Sequence, residues 1–307
     1  MKYVVFYYSQ TGQALSVARS ICSTIGDVDD TVVYKEIVPI HKYPYPWTHA
    51  EFFDVFPECR LGMPPSGIEA INLDDVHDAD IVIVAGQSWF LSPSLPLQSF
   101  FLDSEIKQYL RGRNVIFINA CRNMWLNTLL RVKDYIQEAG SRLVGHIVVQ
   151  DAAPNLISVI TVVRWQLHGK TAPTRFLPAA GIDKETIANT SRFGTIIKDA
   201  LHSDNLNSLQ AKLLAAGGII YKPSIIFMEK VGYRMFLLWA RFVRIKGNYG
   251  DKRRRHRLNA FYYYLLFVLF IVSPFAQLFF YITYPLRRVS YHKRKDCSTT
   301  IYSEPFR

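Results

Sequence analysis

Ser9, Gln10, Thr11, Gly12 and Gln13 stand between an apolar run, Val4 to Tyr8, and a segment in which Leu15, Val17, Ala18 and Ile21 recur at helical spacing. A strand that feeds a helix through hydroxyls and one glycine presents side-chain donors, free backbone N–H groups and the positive end of the helix dipole. Such a turn holds a phosphate. Two further stretches leave apolar runs. GQSWFLSPS, residues 86 to 94, carries Ser88, Trp89 and Phe90, and ACRNMW, residues 120 to 125, carries Cys121, Arg122, Asn123 and Trp125. Trp89 and Phe90 offer flat faces for stacking, and Arg122, Asn123 and the loop amides offer polar contacts at the same edge. The three stretches together suit a mononucleotide that carries a planar heterocycle. Neither G-x-G-x-x-G nor G-x-x-x-x-G-K-[ST] occurs, so dinucleotide and P-loop chemistries have no motif here.

Strands are predicted at 3–8, 31–38, 81–85, 115–119 and 143–149, and helices at 13–25, 96–110, 124–139 and 184–201, the last with Asp183 as N-cap. Five apolar strands separated by helices imply a doubly wound α/β domain over residues 1–202. Its parallel sheet is covered on both faces, with ligands at the carboxyl ends of the strands. About forty residues, 39–79, exceed an ordinary connection and are rich in aromatics. They read either as a lid over the site or as a packed excursion that caps the sheet.

The chain has 307 residues and a formal charge of +11, and the location of that charge matters more than its size. Residues 1–218 hold 19 Lys and Arg against 21 Asp and Glu; the remainder holds 17 against 4. The basic excess brackets an apolar tail rather than a polar folded module, which argues against a nucleic-acid partner. Residues 203–257 read as a helical, interfacial basic segment in which Lys222, Lys230, Arg234, Arg241 and Arg244 stud an apolar helix. Residues 258–286 hold no charge and are long enough to span a bilayer. With Pro274 near the middle and basic clusters at both ends, including the 287–307 tail, a hairpin turning at Pro274 is favoured over a single span. Both basic ends then face the cytoplasm, at the cytoplasmic face of a cell membrane. The four cysteines, Cys22, Cys59, Cys121 and Cys297, show no C-x-x-C pair, and no metal site is expected.

The S-x-T-G-x turn after the first strand, with an aromatic after the third, resembles flavodoxin-like proteins and implies FMN as cofactor. Ala14 stands where that pattern usually has Thr or Asn. A narrower resemblance rests on YYSQTGQ, PYPWT, EFFDVFPE, SWFLSPSLP, CRNMW, NLISVIT and the tail pattern SPF to YPL. In that order they are similar to the dialkylresorcinol biosynthesis proteins of flexirubin-type pigment clusters, a family commonly labelled dialkylresorcinol condensing enzyme. Condensation needs an activated cysteine in a thiolase-type fold, which the doubly wound pattern does not supply. The resemblance therefore implies the redox partner of a ketosynthase-type condensing enzyme.

On that reading the chain is an FMN-dependent oxidoreductase. It aromatises a lipophilic 2,5-dialkylcyclohexane-1,3-dione to a dialkylresorcinol by removing two electrons and two protons. Arg122 holds the enolate, and His49 or Asp54 in the insert removes a proton. Membrane lipids are the expected neighbours, and resembling flavoproteins leave a homodimer open. Two rival readings are a membrane-bound quinone reductase that uses a nicotinamide, and a non-catalytic electron carrier or scaffold for the condensing enzyme.

Overall fold

The computed structural model describes residues 1–26 and 30–285. The basic tail, 287–307, with Cys297, lies outside the described residues. At the centre are β1 (Lys2–Tyr7), β2 (Thr31–Glu36), β3 (Ile81–Trp89), β4 (Ser92–Pro93), β5 (Asn114–Cys121) and β6 (Arg142–Gln150). Their order is β2-β1-β3-β5-β6, all parallel, with the two-residue β4 folded back antiparallel on the end of β3. Tyr3 pairs with Val32 on one side and Ile81 on the other, which fixes the register at the centre. Leaving aside the short β4 arm, this is the flavodoxin-like strand order.

The strands read as unbroken apolar runs because both faces are buried. Val4, Phe6, Val82, Val84, Val115 and Phe117 face α4 (Leu95–Leu102), α5 (Ser104–Leu110) and α6 (Leu126–Glu138). Tyr3, Val5, Ile81, Ile83, Ile116 and Ile118 face α1 (Gln13–Cys22), α9 (Ser191–His202) and α10 (Leu209–Ala215). Gly194 lets α9 approach α1 closely: a Cβ there would lie 1.9 Å from the Ile21 carbonyl oxygen. Leu209 and Leu213 of α10 are fully buried in the same core. The cover of the sheet therefore runs on to Ala215, past the boundary expected at residue 202.

Two helices expected as single pieces are broken by local capping. Asp103 accepts hydrogen bonds from the N–H groups of Glu105 (2.9 Å) and Ile106 (3.1 Å), so α5 starts afresh there. Asp183 caps α8 (Lys184–Ala188), accepting from Thr186 N–H at 2.8 Å, and the chain then bends at Asn189 and Thr190 before α9. A further helix, α7 (Asn155–His168), occupies a stretch for which the strand and helix pattern predicted nothing.

The 39–79 segment is packed rather than loose. It folds into α2 (His49–Asp54), opened by a Thr48/Glu51 capping box, and α3 (Phe56–Leu61). Trp47, Val55, Phe56 and Cys59 are buried. The tail forms α11 (Pro223–Arg244) and a long helix, Lys252–Pro285, whose most apolar 18-residue window has a mean hydropathy of 2.3 and whose first regular part is α12 (Arg255–Phe267). This helix does not turn at Pro274. A π-helical stretch, Val268–Val272, precedes the proline and helix resumes through 273–285. The π turn loosens the hydrogen-bond ladder where proline lacks an N–H and its ring would meet the carbonyl four residues earlier. The expected hairpin gives way to one continuous helix. It lies antiparallel to α11, as the Trp239–Tyr264 (5.0 Å) and Phe227–Phe280 (5.8 Å) ring contacts show.

Candidate functional site

In a doubly wound sheet the ligand crevice lies at the carboxyl ends of the strands where the winding reverses. Here β1 is followed by β2 on one side and β3 on the other, so the crevice lies beyond Tyr7 and Trp89. The turn 9–13 leaves β1 at that point. Gly12 adopts φ +82°, a left-handed conformation that only glycine takes without cost, and a Cβ there would meet nothing within 4 Å. Ser9 Oγ accepts from Leu15 N–H (3.2 Å), and Gly12 O accepts from Ser16 N–H (2.9 Å). Among the described residues no hydrogen bond takes the N–H groups of Thr11, Gly12, Gln13 or Ala14, or the Thr11 hydroxyl. Four open N–H groups, the α1 dipole and two hydroxyls can hold a dianionic phosphate.

The two glutamines of the turn are used differently. Gln13 is clamped to the backbone of Ile182, donating to its carbonyl (2.8 Å) and accepting from its N–H (3.2 Å). Gln10 donates to Pro44 O (3.1 Å), which ties the turn to the insert, and its Oε1 is buried without a partner. Their side chains shape the turn and leave its backbone N–H groups and hydroxyls open to an anion.

The second stretch is not an open loop. β3 continues to Trp89 and turns at Phe90 and Leu91, both in left-handed conformation, into β4. Trp89 stays beside the first turn, its ring edge-on to Tyr8 at 5.9 Å, with Trp47 (5.5 Å) and Tyr43 (5.3 Å) of the insert completing an aromatic box. Phe90 at the hairpin tip is carried the other way, against Phe52 (5.1 Å) and Phe56 (5.4 Å), so it packs the insert instead of facing the crevice. Ser88 donates to Asn119 Oδ1 (3.1 Å) and bonds the Thr128 hydroxyl (2.8 Å), joining β3, β5 and α6. The Cys59 thiol donates to Trp89 O (3.2 Å) and Pro93 O (3.3 Å) and so bolts the hairpin to α3.

At the third stretch Arg122 is half-buried. Its Nη1 donates to Asn155 O (2.9 Å) and Oδ1 (2.7 Å), while Nε and Nη2 have no hydrogen-bond partner among the described residues. Burial lowers its pKa to about 10, so it remains a cation at neutral pH. Asn123 Nδ2 donates to the same Asn155 Oδ1 (2.7 Å), and its own Oδ1 is buried and unpaired. Cys121 is buried and its thiol is pushed up by desolvation. Trp125 lies in the core against His146, ring centroids 5.9 Å apart, and does not line the site: as N-cap of α6 its ring turns toward the sheet.

His49 and Asp54, expected as alternative bases, are placed elsewhere. His49 is wedged between Phe53 (4.8 Å) and Tyr262 (4.4 Å), and burial lowers its pKa. Asp54 is paired with Arg254 (2.8 Å) and accepts from Gly250 N–H (2.8 Å); burial raises its pKa against those partners. Both join the insert to the C-terminal helices. Two residues without an expected role shape the site. Asn155 holds Arg122 and Asn123. Glu229, fully buried on α11, accepts from Leu126 N–H (3.2 Å) and from Asn127 N–H (2.7 Å) and Nδ2 (2.8 Å), which fixes the start of α6 behind the third stretch. An acid inside a basic, apolar segment was the signal for Glu229.

No family model matches the chain, and no curated protein matches it. Solved structures of low identity are similar to parts of it. A flavoprotein in complex with FMN from Lactobacillus acidophilus is 17% identical, covers 48% of this chain and 92% of its own, and has a TM-score of 0.39. A flavodoxin from the Archaea is 16% identical over 66% of this chain and 99% of its own, with a TM-score of 0.36. The azoreductase AzrA is 10% identical over 62% of this chain and 100% of its own, with a TM-score of 0.35.

Proposed function

We propose that the chain is a membrane-attached flavoprotein oxidoreductase that holds FMN at the β1/β3 reversal. The observation that carries this reading is the turn 9–13, with four open N–H groups and left-handed Gly12, set beside half-buried Trp89. The flavodoxin-like strand order supports it, since that order places FMN at this same reversal. The N–H groups of Thr11 to Ala14 and the hydroxyl hydrogens of Ser9 and Thr11 would take the phosphate, and Trp89 with the third stretch would flank the ring. When bound, FMN accepts two electrons.

The substrate reading is a 2,5-dialkylcyclohexane-1,3-dione, which loses two electrons and two protons on becoming a dialkylresorcinol. Such a dione is acidic and binds as its enolate. The unengaged Nε and Nη2 of Arg122 would hold that oxygen, with Asn155 fixing the guanidinium in place. Asp54 and His49 are committed elsewhere and are not offered as the base. Attachment to the membrane suits a substrate with two alkyl chains, each methylene of which favours lipid by about 0.8 kcal/mol. It is supported by the long helix, only 6% of whose most apolar window is buried.

Purification in detergent, a visible spectrum and anaerobic addition of the dione test the reading. A yellow protein that bleaches as resorcinol forms is expected. A colourless protein that cannot be reconstituted with FMN overturns it. A yellow protein that reduces quinone with a nicotinamide and ignores the dione keeps the flavin and overturns the substrate.

A further inference from the structure

The elbow between α11 and the long helix forms a solvent-open cavity of about 650 Å³. Arg244, Lys246, Arg253, His256 and Arg257 line it, with Ile245 at its side. No acidic side chain lines it, although some of these cations have partners outside. Arg253 pairs with Asp251 (2.5 Å), Arg244 with Glu58 (3.2 Å), and Arg257 donates to Phe242 O with its guanidinium 4.0 Å from that ring. Lys246 and His256 are exposed, and their side chains have no hydrogen-bond partner among the described residues. Lys252 and Arg255 add two more exposed cations at the same bend.

A second observation says what kind of anion fits. An exposed apolar stripe, Val231, Leu238 and Phe242 on α11 and Ile245 at its C-cap, meets the cavity at Ile245, which is 75% exposed. These positions recur at near-helical intervals and so share one face. Phe267, Phe270, Ile271, Phe275, Leu278 and Phe279 of the long helix are also exposed. A free phosphate in water would satisfy the cations but not the bare stripe. A molecule with a phosphate at one end and acyl chains at the other satisfies both.

We propose that the elbow is the seat of an anionic glycerophospholipid, its headgroup phosphate in the cavity and its chains along the α11 stripe. The inference rests on the membrane reading above and sharpens it, because it fixes the depth of the protein: the elbow lies at headgroup level, where basic pockets meet anionic lipid. It assigns the exposed cations of the KRRRHR run a ligand, while the buried Arg254 of the same run serves the fold.

The full chain in detergent, mixed with phosphatidylglycerol and phosphatidylcholine and examined by native mass spectrometry, tests this. One phosphatidylglycerol is expected to be retained in preference to phosphatidylcholine. Lys246→Gln is expected to weaken retention about fivefold, the worth of one surface cation, and Lys246→Gln with Arg257→Gln more than tenfold. Equal retention of the two lipids, or no effect of Lys246→Gln, overturns the site. Displacement of phosphatidylglycerol by an equimolar amount of inorganic phosphate also overturns it, in favour of a free-phosphate site. Failure of the membrane reading is distinguishable: a chain that enters nanodiscs of neither lipid lacks membrane attachment altogether, whereas one that enters both alike lacks only this seat.

Discussion

Glu229 and His146 lie on either side of the third stretch, and burial drives their titration in opposite senses. Burial lifts Glu229 from 4.5 to about 7, against three N–H donors that favour its charged form. Between those pH values the folded chain holds a proton that the unfolded chain has released, so stability falls as pH rises through the window. His146 stacks on Phe117 at 5.3 Å with both ring nitrogens unpaired, and burial lowers it from 6.5 to about 3. The folded chain then refuses a proton that the unfolded chain takes, so stability falls as pH drops from 6.5 toward 3. Melting curves across pH are expected to show Glu229→Gln losing the first slope and His146→Phe losing the second. The His146→Phe protein should also gain about 1 kcal/mol, since an apolar ring of similar shape replaces unpaired polar atoms. Slopes identical to the unmutated protein would refute both assignments. Sequence pattern could place Arg122, Asn123 and Trp89 at strand ends, because strand and turn signals are local. It could not show that Trp125 turns inward or that Phe90 points to the insert, because those directions are set by a hairpin and by packing from distant segments.

At the level of elements, the insert and the tail meet in a buried ion cluster. Arg254, 1% exposed, places Nη1 and Nη2 each 2.7 Å from the Glu58 carboxylate and Nε 2.8 Å from Asp54. Arg244 reaches the same Glu58. Beside it Phe56 of α3 and Phe261 of α12 stack at 3.8 Å and 3°. Neutralising Glu58 leaves Arg254 buried with one carboxylate instead of two. Glu58→Gln is expected to cost about 3–5 kcal/mol, the usual loss when one partner of a buried pair is removed. The measurement is denaturant unfolding in detergent, and a change under 1 kcal/mol would mean that the cluster is solvated. Composition showed Lys252 to Arg257 as a charge run next to an apolar helix, and a run of that kind reads as an exposed interfacial patch. What it could not show was a partner almost two hundred residues away, which takes the central arginine inside. α7 escaped for a related reason: its apolar residues do not form a clean helical stripe, because only Ser158, Thr161 and Trp165 are buried on it.

Over the whole molecule these contacts decide whether the C-terminal helices are a detachable anchor or part of the fold. Without α11, the N–H groups of Leu126 and Asn127 at the start of α6 lose Glu229 in a buried setting. Ile219 and Ile226 leave the core on the α6 face of the sheet. Without α12, Phe53 and Phe56 lose the rings of Phe261 and Tyr262. Several buried groups are thus exposed or left unpaired at once, each at about 1–3 kcal/mol, against a total stability of about 5–15 kcal/mol for a domain. A chain ending after Gly218 keeps every strand of the sheet and the turn 9–13, yet is expected to aggregate and to take up no FMN. A chain ending after Val272 loses the last 13 of the 34 residues of the long helix but keeps Glu229, Arg254 and Phe261. It is expected to fold, with near-native aromatic circular dichroism, and to bind membranes less firmly. If the shorter chain proves soluble, monomeric and cooperative in unfolding, the doubly wound domain stands alone and the helices are an appendage. The opposite result makes the C-terminal helices a structural wall of the site, through Glu229 behind the third stretch and through α12 behind the insert that packs on Trp89.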